Sequence, residues 1–416
     1  MIKETKKAPT IRFRGFTDDW EQRKLGEICT KITDGSHFSP PGIDNGYPMP
    51  SVKDMTSVGF NYETCKKISS QDYKTLVNQG CRPEIGDVLV AKDGSILKYA
   101  FEIKEEQDIV VLSSIAILKP NHDVISGQFL AQNLVMDDFK SKVIKENTTG
   151  TGVPRIVLSN FKNFDIKIPV LEEQIKIGQY LNNLDNLITL HQRKLDQLKT
   201  LKKYFLQNMF PSKGEKVPKI RFKGFTGDWE QKKLIDVCDY VDYRGKTPSK
   251  TTSGIFLVTA KNIKDGYIDY EASQEYISEN DYDEVMHRGK PKIGDVLITT
   301  EAPCGNVAQV DKESIALAQR IIKYRGHSHV MDNAYLKYYL LSPEFQSILY
   351  AKSSGGTVQG IKGSILHQQK INFPKYEEQT KIGQYLDDLD NLITLHQHKL
   401  DQLQTMKKFM LQNLFI

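Results

Sequence analysis

The chain is written twice, and this constrains it more than anything else in its 416 residues. Residues 9–25, PTIRFRGFTDDWEQRKL, return at 218–234 as PKIRFKGFTGDWEQKKL, an offset of 209. The run IGDVL at 85–89 returns at 293–297, an offset of 208. Residues 177–210 return at 382–415 with 26 of 34 positions identical, an offset of 205. Between these blocks the halves barely match. Each half therefore has a near-constant opening, a divergent middle and a near-constant end. A period this long predicts a tandem two-domain protein rather than a solenoid.

The constant ends read as helices. Ile177, Leu181, Leu184, Ile188, His191, Leu195, Leu198, Lys202, Phe205 and Met209 follow a 4-3-4-3 spacing, echoed by Ile382, Leu386, Leu389, Ile393, His396, Leu400, Leu403, Lys407, Met410 and Leu414. Apolar residues every ~3.5 positions are a coiled-coil signature. Pro169 and Pro374 precede the helices and Pro211 closes the first. About 39 residues of helix would extend ~58 Å. A single stripe needs a partner, and the other copy is the obvious one. The expected seam is Leu181, Leu184, Ile188, Leu195 and Leu198 against Leu386, Leu389, Ile393, Leu400 and Leu403.

The middles read as strands and loops: 88–91, DIVVLSSIAIL at 108–118, IFLVTA at 255–260 and DVLIT at 295–299, with helical patterns at 126–144 and 333–349. The fold class expected is α+β: two β-rich tandem domains with short helices, each followed by a long helix, the two helices pairing antiparallel about a pseudo-twofold axis. The boundaries drawn are 1–170 for domain 1, 171–211 for its helix, 212–375 for domain 2 and 376–416 for the second helix.

Composition excludes several classes. With 39% hydrophobic and 26% charged residues the chain builds real cores. Five scattered cysteines form no CxxC pair, which disfavours a disulfide framework or a Cys-rich zinc site and suits a reducing cytosol. No apolar run approaches the ~18 residues of a membrane helix, and the first residues carry no secretory signal, so a cytoplasmic location is expected. Net charge is +5, compatible with nucleic acid without arguing for it.

Enzyme motifs are missing. Gly245-Lys246-Thr247 lacks the glycine that a phosphate-binding loop needs five positions earlier, where Tyr240 stands. Glu102-Ile103-Lys104 after Asp87 or Asp93 imitates a nuclease centre, but no triplet follows Asp295 in the second half. His327, His329, His396 and His398 lack carboxylate or Cys partners at ligand spacing. No catalytic residue and no metal site is expected. Two divergent heads on one frame instead suggest two ligands presented in one geometry. Gln192, Lys194 and Asp196 match Gln397, Lys399 and Asp401 on the outer helix face although no core requires them, which marks this face as a candidate partner dock.

In these residues the chain resembles the specificity (S) subunits of type I restriction-modification systems. The resemblance rests on IRFRGFTDDWEQRKLGE at 11–27 and its copy, DGSHFSP at 34–40, GDVL in each half, residues 148–181 and SSGGTVQGIKGSIL at 353–366. It covers essentially the whole chain and implies two target recognition domains, each reading half of a bipartite asymmetric site in double-stranded DNA. It also implies two methyltransferase (M) subunits docked on the helices, methylating adenine N6 with S-adenosylmethionine, and two restriction (R) subunits, ATP- and Mg-dependent, that cleave. This chain would itself hold no cofactor and catalyse nothing. The competing readings are a coiled-coil scaffold whose heads bind proteins, and an enzyme with an unrecognised site.

Base-reading residues vary within such a family, so candidates follow from chemistry. Paired donors or acceptors read bases, while cations and hydroxyls hold phosphate. Polar clusters beside β runs give Ser36, His37, Lys53, Lys92, Ser95, Lys98 and Arg155 in the first half. In the second they give Arg244, Lys246, Thr247, Lys261, Asn262, Thr300, Gln319, Arg320 and Lys362. Lys53 and Lys261 occupy corresponding positions after a β run.

Overall fold

The structure is a computed structural model that describes residues 8–147, 154–243, 248–355 and 359–415. The chain divides into two compact units. Unit 1 combines residues up to Arg193 with Gln397 onward, and unit 2 runs from Lys194 to His396. Each unit thus owns the first part of one long helix and the last part of the other. Among the described residues no helix is long and apolar enough to cross a membrane.

Each unit is built on a four-stranded antiparallel sheet. In unit 1 the order is Cys29–Asp34, Ile115–Pro120, Val88–Ala91, Ala100–Glu102. In unit 2 it is Cys238–Asp242, Ile321–Gly326, Val296–Thr300, Cys304–Gln309. The repeated WEQ segments form short strands, Glu21–Lys24 on Asp165–Ile168 and Glu230–Lys233 on Lys370–Phe373.

Two readings from periodicity need correction. The apolar run at 108–118 becomes strand only from Ile115, because Ser113 and Ser114 form a turn whose backbone groups serve neighbouring loops. The helical patterns at 126–144 and 333–349 each split into two helices, Gly127–Leu134 with Asp137–Asn147 and Asn333–Leu341 with Pro343–Lys352. In the second case Ser342 caps the new helix and Pro343 sits in its first turn, where a missing N–H costs nothing.

The long helices are Leu171–Asn208 and Tyr376–Asn413, 38 residues each. Their repeated opening, EEQ, clamps each helix to its sheet domain. Gln174 accepts from the Ser126 backbone N–H and donates to the Val124 and Pro169 carbonyls. Gln379 repeats this with Asp332, Val330 and Pro374. Four residues on, Gly178 and Gly383 leave room for the short helix beneath. A Cβ on Gly178 would meet Gln128 Cβ at 2.9 Å, and one on Gly383 would meet Ala334 Cβ at 2.8 Å.

Within each unit the two helix segments run antiparallel. In unit 1 Asp185 pairs with Lys407 at 2.6 Å, and in unit 2 Lys202 pairs with Asp390 at 2.6 Å. The two lysines on the stripe, Lys407 and Lys202, are therefore register pins of the segment pairs. Leu181, Leu184, Leu195, Leu198, Leu386, Leu389, Leu400 and Leu403 are buried, while Ile188 and Ile393 are half-buried. The far end of each helix plugs a domain. Phe415 packs on Phe129 and Trp20 in unit 1, and Phe210 packs on Tyr335 in unit 2, where Trp229 also meets Tyr335.

Candidate nucleic-acid interface

In unit 1 the candidate residues come from distant segments and gather at one end of the four-stranded sheet. The organiser is the Ser113–Ser114 turn before strand Ile115–Pro120. The Ser114 carbonyl accepts from Lys92 N–H at 2.9 Å and Asp93 N–H at 3.3 Å, and its hydroxyl accepts from Val52 N–H at 3.2 Å. The Ser36 carbonyl accepts from Ser113 N–H at 2.9 Å. Asp93 and Arg155 form an antiparallel backbone β-bridge, and Lys92 C=O accepts from Ile156 N–H at 3.2 Å. Thus the loops carrying Ser36-His37, Lys53, Lys92–Lys98 and Arg155 share one edge. Ser114 carried no sequence signal, since its role depends on where its backbone lies.

Unit 2 repeats the arrangement with other side chains. The Arg320 carbonyl takes the place of Ser114's, accepting from Thr300 N–H at 2.8 Å and Thr300 Oγ1 at 3.2 Å. Ile361 N–H donates to the Thr300 carbonyl at 2.9 Å, and Glu301 bridges Gly360. Structurally, therefore, Lys92 corresponds to Thr300, Ser114 to Arg320 and Arg155 to Gly360. An open cleft of about 250 Å³ is lined by Thr300, Glu301, Arg320 and Lys362. A neighbouring one of about 300 Å³ is lined by Lys250, Lys261, Gln319 and Arg320. Lys250, absent from the chemical selection, pairs with Glu275 at 2.7 Å.

Individual side chains differ in what they offer. Lys53, Lys98, Arg155, Lys261, Arg320 and Lys362 are exposed, as is the His37 ring, 3.4 Å from Asp34. Ser95 and Gln319 are half-buried. Lys98 lies over the Tyr99 ring, and Arg320 reaches Glu301 at 3.3 Å. Four candidates face inward. Ser36 is buried, its hydroxyl bonded to Phe38 C=O and N–H. Lys92 is buried, 3.4 Å from both Asp34 and Asp93. Thr300 is buried, its hydroxyl donating to the Arg320 carbonyl, and Asn262, 0% exposed, staples backbone at Thr259, Asp269 and Ser273. These four shape the loops, whereas the remaining described cations of the set are exposed. Arg244, Lys246 and Thr247 lie outside the described residues.

The carboxylates that imitate a nuclease centre are otherwise engaged. Lys104 Nζ donates to Asn182 Oδ1 at 2.7 Å, and burial raises the Glu102 carboxyl above its usual range. Burial likewise raises Asp87, whose oxygen accepts from Glu84 N–H at 2.8 Å. Among the described residues no three His, Cys, Asp or Glu side chains gather as a metal site.

Comparison with known proteins assigns this frame. The family described as type I restriction modification DNA specificity domain matches residues 17–200 and again 226–405. The chain belongs to this family: it is a non-catalytic, DNA-recognising specificity subunit of a type I restriction-modification system, a complex with modification and restriction subunits. It is 27% identical over 412 residues to the type I restriction enzyme MjaVIII specificity subunit of Methanocaldococcus jannaschii, covering 94% of this chain and 91% of that one. It is 25% identical over 413 residues to the putative MjaX specificity subunit of the same organism, with the same coverage. The fold matches the S subunit of a type I system from M. genitalium with a TM-score of 0.65 at 12% identity, covering 98% and 99% of the two chains. The scaffold reading, in which the heads bind proteins, is not favoured.

Proposed function

We propose that each unit reads one half of a bipartite, asymmetric site in double-stranded DNA through the sheet edge that gathers its loops. One observation carries this reading. The backbone frame of the edge is the same in both units, whereas the side chains it presents change: Ser114 gives way to exposed Arg320, and exposed Arg155 to Gly360. A shared frame with exchanged donors is what two different half-sites require, because base edges are told apart by donor and acceptor pattern. In this reading domains 1–170 and 212–375 are the target recognition domains and 171–211 and 376–416 the spacer helices.

Two M subunits dock on the helices and methylate adenine N6, and two R subunits join them for cleavage. S-adenosylmethionine, ATP and Mg are bound by those partners, in the cytoplasm. Gln192, Lys194, Asp196, Lys399 and Asp401 are exposed, and half-buried Gln397 donates to Asp401 at 3.0 Å. Beside them each helix exposes large apolar side chains at matching positions, Leu190 at 62% and Leu395 at 63%. Such repeated apolar exposure supports a protein seat.

The test is a methylome. Exchanging roughly residues 30–165 for the first domain of another family member is expected to change one half-site and leave the other and the spacer unchanged. Both half-sites changing together would refute independent reading.

A further inference from the structure

We propose that Lys53 and Lys261 are matched phosphate contacts that hold each unit on the DNA backbone without reading sequence. This rests on the DNA-reading edge proposed above.

The two lysines sit on the same local device. In Ser51-Val52-Lys53-Asp54 the Asp54 carboxylate accepts from Ser51 N–H at 2.9 Å and Ser51 Oγ at 3.0 Å. In Thr259-Ala260-Lys261-Asn262 the Asn262 side-chain oxygen accepts from Thr259 N–H at 2.9 Å and Thr259 Oγ1 at 2.8 Å. The fourth residue is 1% and 0% exposed respectively, and is tied down further. Its carbonyl accepts from Asn61 N–H in one unit and from Asp269 N–H in the other, both at 2.8 Å. A second rung follows in each, Met55 with Phe60 and Ile263 with Ile268. With residues one and four fixed, the third projects outward. Both lysines are exposed, and among the described residues neither is in an ion pair.

The device survives a change in its own chemistry. Its anchor is a carboxylate in unit 1 and a neutral amide in unit 2, yet geometry and lysine are retained. Next to it, the reading edge exchanges its side chains. Val52 N–H is bonded to Ser114 Oγ, and Lys261 shares a cleft wall with Gln319 and Arg320. Two half-sites of different sequence share only their sugar-phosphate backbone. A contact that must differ between the units reads bases; one that stays the same at an equivalent place fits phosphate. A lysine ammonium, a point charge on a flexible stem, suits that task better than bidentate base recognition.

The experiment measures binding of the full chain, co-assembled with its modification subunit, to its target duplex and to a scrambled duplex across salt concentrations. Variants are Lys53→Ala, Lys261→Ala, the double variant and Lys53→Arg. Each alanine is expected to flatten the slope of log K against log salt by ~0.9, the double by about twice that, and arginine to restore it. Affinity should fall equally on both duplexes, and the methylated motif should not change. Slopes equal to wild type, or a relaxed motif at one position, would overturn the assignment. Wild type lacking any preference for its target would instead sink the DNA-reading edge itself, and this proposal with it.

Discussion

Arg12 closes a two-pronged ion pair on Glu173: Nε and one terminal nitrogen donate to the two carboxylate oxygens at 2.7 and 2.8 Å. Arg221 does the same to Glu378, both at 2.7 Å. The near-constant opening of each half is thereby bound to the first turn of that half's long helix. Glu173 is 0% exposed, so its charge has lost water and depends on the arginine.

Removing Arg12 strands that charge. Arg12→Ala is expected to destabilise unit 1 by about 3 kcal/mol, the cost of breaking a buried pair from one side. Arg12→Ala with Glu173→Gln should recover part of the loss. The chain's two tryptophans make this measurable unit by unit, since Trp20 lies in unit 1 and Trp229 in unit 2. Denaturation followed by Trp20 fluorescence in a Trp229→Phe background should shift; a curve that stays put would mean Glu173 is satisfied otherwise.

The register pins should tolerate reversal but not loss. Lys407→Asp sets a second acid against buried Asp185, and should cost unit 1 about 3 kcal/mol. Adding Asp185→Lys restores the pair with opposite polarity and should return most of that stability. A double variant no better than the single one would show that Gln132, which donates to Asp185 at 2.9 Å, dictates the polarity.

Asp87 makes a pH prediction. Burial raises its carboxyl, so between the ordinary value of 3.8 and the raised one the folded chain holds a proton that the unfolded chain has released. Its effect on stability therefore falls as pH climbs through that window and stays lower above it. Asp87→Asn removes the titration, and unit 1 should lose that part of its pH slope. The corresponding Asp295 is held by Arg325 at 2.6 Å through both oxygens, whereas Asp87 has Lys119 at 3.8 Å. An unchanged slope in the variant would assign the titration elsewhere, Glu102 being the next candidate.

The helices are expected to act as the ruler between half-sites. A heptad is ~10.5 Å of helix, about three base pairs at ~3.4 Å each. The antiparallel pairing requires one heptad in each helix, after Leu195 and after Leu400. The methylome should then show a longer spacer between two unchanged half-sites. Full activity at the original spacing would remove the helices from that role.

The duplication, the two long helices and their apolar stripe were legible because they follow from local periodicity, which needs no knowledge of the third dimension. The exposed cations were legible as chemistry, but their convergence was not. Lys92 and Arg155 meet through Asp93, and both depend on Ser114, a residue with no distinguishing pattern. Likewise Asn262 reads as a donor for DNA in the sequence, and only its 0% exposure makes it a staple.

The sequence by itself determined that each half ends in a helix tipped by a phenylalanine, Phe210 or Phe415. It could not say which domain each tip enters, since the two ends are nearly the same. The tertiary structure decided it: Phe210 enters the unit that follows it and Phe415 the unit at the start of the chain. The physical reason is that choosing between two nearly identical tips rests on long-range packing, Phe210 against Tyr335 and Phe415 against Phe129 and Trp20, which no local pattern encodes. Each domain therefore completes its core with the end of the other repeat's helix.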